Sequence, residues 1–307
     1  MAMRSFSLSL FGLAAALIAA EPPVVVRETA DMPSVAPTFL ARFNKEFVPE
    51  CSALWASPTQ PGLYWTLSDS GAKPRLSALR TDGTFASTPA GPWRSVELKG
   101  ATNVDWEAIT GDATGRMIVC DVGNNVSLRK ELALYLFAEP KPGAAAITDF
   151  RKITFAWPDQ KSFPDPELSH DCEAAFMVGG RLYLLTKHRR DTLTDLWRVD
   201  LPAPGAAEKA VPVKVGRLDA KGMVTDAAVS PDGKRLAVLT YTFLWVFDLP
   251  ASGEAFFSGP ARSAPLSLPA LSWQVEGCSW IDDATLLLGS EQGDLFRLPI
   301  SALKEAK

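Results

Sequence analysis

Apolar positions gather into short runs in which nearly every residue, or every second one, is hydrophobic, with turn formers between them. The clearest are GLYWTLSDSG, GRMIVCDVGNN, GRLYLLTKH, KRLAVLTYTFLWVFDLP and ATLLLGSEQGDLFRLP. Leucine, β-branched and aromatic residues bounded by Gly, Pro, Asp and Asn predict strands. No long stretch carries the helical period, and 24 Pro and 21 Gly punctuate the chain. The pattern predicts an all-β protein rather than alternating β and α elements.

The strands recur as a unit. A short segment precedes each strong strand: PECSALW, VDWEAIT, HDCEAAF, MVTDAAV and WQVEGCS. Aligned on the small residue after the acid, these segments place Ser52, Glu107, Glu173, Asp226 and Glu276 in register, about 56 residues apart on average. Each interval holds a short first strand, a strong second one, a third such as ALYLFAEP or DLWRVDLP, and a fourth such as ITDFRKITFAW. That is the content of one β-propeller blade. The residues from Glu21 to Cys51 and those after Glu276 add up to about one more period. The expectation is a five-bladed ring, with a sixth blade only if the long second interval hides a further unit. The last blade supplies three strands, so a strand within APTFLARFNKEF is expected to pair onto it and bury the open sheet edge.

Residues 1–20, MAMRSFSLSLFGLAAALIAA, have one Arg, an apolar run and a following Glu-Pro-Pro, the order of a secretory signal peptide. The expected organisation is a signal peptide over 1–20 and a single propeller domain over 21–307, secreted or periplasmic, monomeric and without a membrane span. Formal net charge is −4, and loss of Arg4 makes the mature chain one unit more acidic. The longest basic block is KHRR at 187–190, which argues against a nucleic-acid partner. Four cysteines without metal spacing indicate neither a disulfide scaffold nor a zinc site.

The E-x-S-x-L segment with W-T-x-S-D-S-G, D-W-E-A-I with D-V-G-N-N, and D-C-E-A with Y-L-L-T-K resemble secreted bacterial β-propellers of largely unassigned function. They are similar in style to the SdiA-regulated and esterase-like phytase propellers. A looser similarity is to five-bladed calcium-dependent apyrases, which carry Glu on the first strands of their blades around a central calcium. That resemblance implies Glu107, Glu173, Asp226 and Glu276 as calcium ligands here, with Glu50 compensating for Ser52.

Carboxylates converging on an axis repel and raise one another's pKa, so calcium, a Lys or Arg, or protons must neutralise them. Oxygen-only donors favour calcium over zinc. Asp105 and Asp171, each two residues before its Glu, supply a second layer. The plainer alternative is that these acids cap turns or accept N–H groups between blades. His170 and Cys172 are read as blade packing rather than a nucleophilic pair, because Cys51 and Trp106 fill the same slot as Cys172. Loops after the second strands offer Asp69, Asp121, Asn124, Asn125, Tyr241 and Glu291 as ligand-binding positions for a small anionic molecule, a protein or a glycan.

Two functions follow. One is a binding module carrying calcium. The other is a metal-assisted hydrolase of a phosphoester, ester or lactone, with Glu107 or Glu173 as base and Lys187, His188 or Arg129 orienting the anion.

Overall fold

The computed structural model describes residues 20–29, 31–272 and 274–307; most of the expected signal peptide, residues 1–19, lies outside them. The described chain is almost entirely β, in five small sheets arranged as the blades of a propeller. Innermost strands are Trp55–Ala56, Trp106–Gly111, Cys172–Val178, Val224–Val229 and Val275–Asp282, one for each of blades 1 to 5. From each, antiparallel neighbours run outward in chain order.

The ring closes as the sequence predicts. Thr38–Arg42 pairs antiparallel with Asp294–Pro299 as the outer strand of blade 5. Three further edge strands come from outside their own blades: Val24–Val25 runs parallel to blade 3, Ala146–Ile147 parallel to blade 1, and Lys304–Ala306 antiparallel to blade 4. These additions cover edges that would otherwise present unpaired backbone.

The hydrophobic core is five slabs, one in each gap between neighbouring blades. Trp65, Trp106, Trp245 and Trp280 are fully buried there, each contributing on the order of 3 kcal/mol. Their indole N–H groups are satisfied: Trp106 bonds Thr102 O at 3.0 Å, Trp245 Ala220 O at 2.8 Å and Trp280 Ala228 O at 3.0 Å. No helix among the described residues is long and apolar enough to cross a membrane.

Candidate functional site

Strand register explains how the acids meet. Residues Trp106, Cys172, Val224 and Val275 pair with Asp121, Thr186, Thr240 and Ser290, and Cys51 bridges Ser68. In blades 2 to 5 the next residue is left out of the ladder as a bulge: Glu107, Glu173, Thr225 and Glu276. A bulge re-aims its side chain, and this one recurs at the inner end of each blade. Blade 4 departs from the sequence alignment by one residue. Its bulge position is Thr225, and Asp226 pairs with Leu239 as Ala108 pairs with Cys120.

A one-residue shift reverses the side chain's direction. Accordingly, the Asp226 carboxylate accepts N–H bonds from Cys278 at 2.6 Å, Ala227 at 2.8 Å and Leu54 at 3.3 Å, stitching blade 4 to blades 5 and 1. Burial pushes this carboxyl up, against the pull of those three N–H groups. The ring position is therefore occupied by Ser52, Glu107, Glu173, Thr225 and Glu276.

One residue beyond the end of each paired second strand comes a second tier: Asp69, Val122, Lys187, Tyr241 and Glu291. Lys187, 1% exposed, is the internal counter-ion. Its Nζ lies 2.8 Å from Glu173 Oε2, 2.9 Å from the Tyr241 hydroxyl and 3.7 Å from Glu276 Oε1, above the Tyr241 ring. Burial disfavours its charge, but Glu173, Tyr241 and Glu276 outweigh that and hold it protonated. Tyr241 in turn donates to Glu276 Oε1. Arg189, which the sequence reading did not single out, reaches Asp171 Oδ2 at 2.5 Å, Glu173 Oε1 at 3.1 Å and Asn125 Oδ1. Its spacing of two from Lys187 was the available signal.

The blade 1 and 2 side of the mouth is different. Asp69, Asp105 and Glu107 present carboxylate oxygens within 4.8 Å of one another. Among the described residues no Lys or Arg nitrogen pairs with them, and Glu107 receives no hydrogen bond. Burial pushes Glu107 well above the usual carboxylate range, and Glu173, Asp69, Asp105 and Asp171 push it further. Burial with the charges of Asp69 and Asp171 raises Asp105 to about 7. Burial raises Glu276 to about 8, opposed by Lys187 and assisted by Glu291, with which it shares a hydrogen bond. Glu50 is exposed at the rim, where its charge adds to the repulsion on Glu291.

Backbone geometry holds the triad. The Asp121 carboxylate accepts the N–H groups of Asp105 at 3.0 Å and Val104 at 3.4 Å and pairs with Arg129 at 2.8 Å. Gly123 donates its N–H to Asp105 O at 3.1 Å, and a Cβ there would sit 2.4 Å from the Asp105 carboxyl carbon. The Gly of DVGNN is thus required by close approach. Asn124 donates its N–H to Asp171 Oδ1 at 2.7 Å, tying the loop to blade 3.

Both histidines lie off this mouth. His170 is held between Asp165 at 2.7 Å and Asp159 at 2.9 Å; burial opposes its charge, but the two carboxylates outweigh it and raise its pKa. His188 bonds Asp191 at 3.0 Å, beside Asp195, which pairs with Lys214 at 3.0 Å. All four cysteines are free and buried, and burial pushes Cys51 up to about 12 and Cys172 well above its usual value.

No protein-family profile and no curated protein matches the chain. Among solved structures, one chain from Kuenenia stuttgartiensis hydrazine synthase aligns over 81% of this chain and 71% of its own, at 8% identity and a TM-score of 0.44. The five-bladed assignment rests on the sheets themselves.

Proposed function

We propose that this propeller is an exported binding module whose acidic axial mouth takes a calcium ion at Asp69, Asp105 and Glu107. The observation that carries the reading is the contrast within one mouth. Lys187 and Arg189 neutralise Glu173, Glu276 and Asp171 internally, whereas among the described residues the Asp69, Asp105 and Glu107 oxygens converge with no direct Lys or Arg ion pair, and Arg129, paired with Asp121, acts on Asp105 only through its charge. All three donors are hard oxygens, which suits calcium. They supply part of a calcium shell and leave positions for water or for an oxygen of an anionic molecule, glycan or protein docking at this face. The export part of this reading rests on the signal-like sequence of residues 1–20. The hydrolase reading assigned Lys187, His188 and Arg129 to orient an anionic substrate, and each of them holds a protein carboxylate, which favours the binding reading.

The test is the melting temperature of the protein lacking residues 1–20, in chelator and across a calcium titration, with magnesium and zinc as controls. Calcium at a hundredfold excess over its Kd should add about 2.7 kcal/mol, and Asp69→Asn with Glu107→Gln should abolish the gain. The pH dependence has a defined sign. Asp105 and Glu276 have folded pKa values above their unfolded ones, so their contribution to stability is full only below the unfolded values of 3.8 and 4.5 and is lost as pH rises from there through about 7 and about 8. Calcium must displace the proton from Asp105, so its stabilising effect should grow as pH rises toward about 7. If no ion shifts the melting point at any of these pH values, the reading fails.

A further inference from the structure

The axis has a second end. At the far ends of the five inner strands lies a cavity of about 360 Å³, and every blade contributes to its wall. Its surface is built from Trp55, Ile109, Phe176, Met177, Val229 and Trp280, with alanines between them. No Asp, Glu, Lys, Arg or His lines it. It opens toward a wider vestibule formed by the turns of blades 2, 3 and 4 around Ala113, Gly179 and Pro231.

Two features mark this as more than a loosely packed axis. Gly111 lets the Trp55 indole approach the blade 2 backbone closely: a Cβ there would sit 2.5 Å from Trp55 Cζ2 and 2.5 Å from Arg116 O. That close approach makes Trp55, which is only partly buried, a wall of the cavity. Of the three hydroxyls in the lining, Ser57 is engaged with Glu139 and Gln60, and the other two are spare. Thr110 is 4% exposed and its hydroxyl bonds no described residue. Ser279 Oγ accepts the Ala56 N–H at 2.9 Å and retains its own proton for donation.

We propose that this cavity is a binding site for an uncharged, predominantly aromatic small molecule carrying one neutral hydrogen-bonding group, which Thr110 and Ser279 would meet. The volume falls within the roughly 300–1,000 Å³ of small-molecule sites, and an apolar wall with a few converging polar groups is their usual make-up. A charged ligand is disfavoured because burial there would leave its charge without a partner. The site is separate from the acidic mouth and does not depend on calcium.

The test uses N-phenylnaphthylamine, a neutral aromatic probe, and its sulfonated analogue anilinonaphthalenesulfonate, which has the same skeleton with a charge. Fluorescence titration of the protein lacking residues 1–20, in chelator, should show saturable one-to-one binding of the neutral probe and clearly weaker binding of the sulfonate. Ala228→Phe and, separately, Ala56→Phe place a ring in the cavity and should each weaken the neutral probe by about tenfold or more. Circular dichroism melts identify any variant that fails to fold, and the other then decides. Equal binding of the two probes, failure of the neutral probe to saturate at one site, or unchanged affinity in a folded cavity-filling variant would overturn the proposal.

Discussion

Lys187→Met removes the ammonium from the centre of the mouth while keeping most of the apolar stem. In the native protein that ammonium lies 2.8 Å from Glu173 and 3.7 Å from Glu276 at 1% exposure. Breaking a buried pair by deleting one partner costs about 3–5 kcal/mol, because the remaining charge has lost its compensation. The carboxyls have an escape, which is to take up protons. Burial and Glu291 already raise Glu276 to about 8 with Lys187 in place, and Glu173 is raised as well. Without the lysine both rise further, so stability in the variant is retained toward their unfolded value of 4.5 and falls as pH climbs. Urea unfolding followed by tryptophan fluorescence should show a loss of about 3–5 kcal/mol near pH 8.5, shrinking to roughly 2 kcal/mol or less near pH 5. A loss below about 1 kcal/mol at the higher pH, or one of equal size at both, would show that Lys187 does not neutralise this ring.

Two further outcomes separate the parts of the mouth. Gly123→Ala forces a Cβ into the space of the Asp105 carboxyl, so the calcium response should be lost or strongly reduced while far-ultraviolet circular dichroism stays native; an unchanged calcium titration would remove Asp105 from the site. Asp226→Asn replaces one acceptor oxygen by an N–H₂ group facing buried N–H donors from three residues, and should cost about 1–3 kcal/mol in chemical denaturation while leaving the calcium gain intact.

The repeat was legible because it is written in residue types that have few alternatives. Apolar strands with Gly and Asp turns recur at blade length, and the APTFLARFNKEF segment had to cover an edge; Thr38–Arg42 does so. Short edge strands such as Val24–Val25 and Lys304–Ala306 were not legible, since a two- or three-residue strand has no period to read. The acids of the first strands were also visible as a set. Their alignment slipped in blade 4, where MVTDAAV offers an acid one residue later than the bulge and sequence spacing alone does not locate a bulge.

The amino-acid sequence by itself determined the β class, the blade period and the concentration of carboxylates near one end of the axis, because local strand patterning and period do not depend on distant contacts. Tertiary structure alone decided which carboxylates are neutralised. Lys187 and Arg189 follow one blade's second strand, yet they meet Glu276 of blade 5 and Asn125 of blade 2 only once the ring is closed. The same closure leaves Asp69 and the Asp105–Glu107 pair facing one another across two blades, and encloses the apolar cavity at the other end. Charge balance around an axis depends on distances between segments far apart in the chain, and those distances exist only in the folded ring.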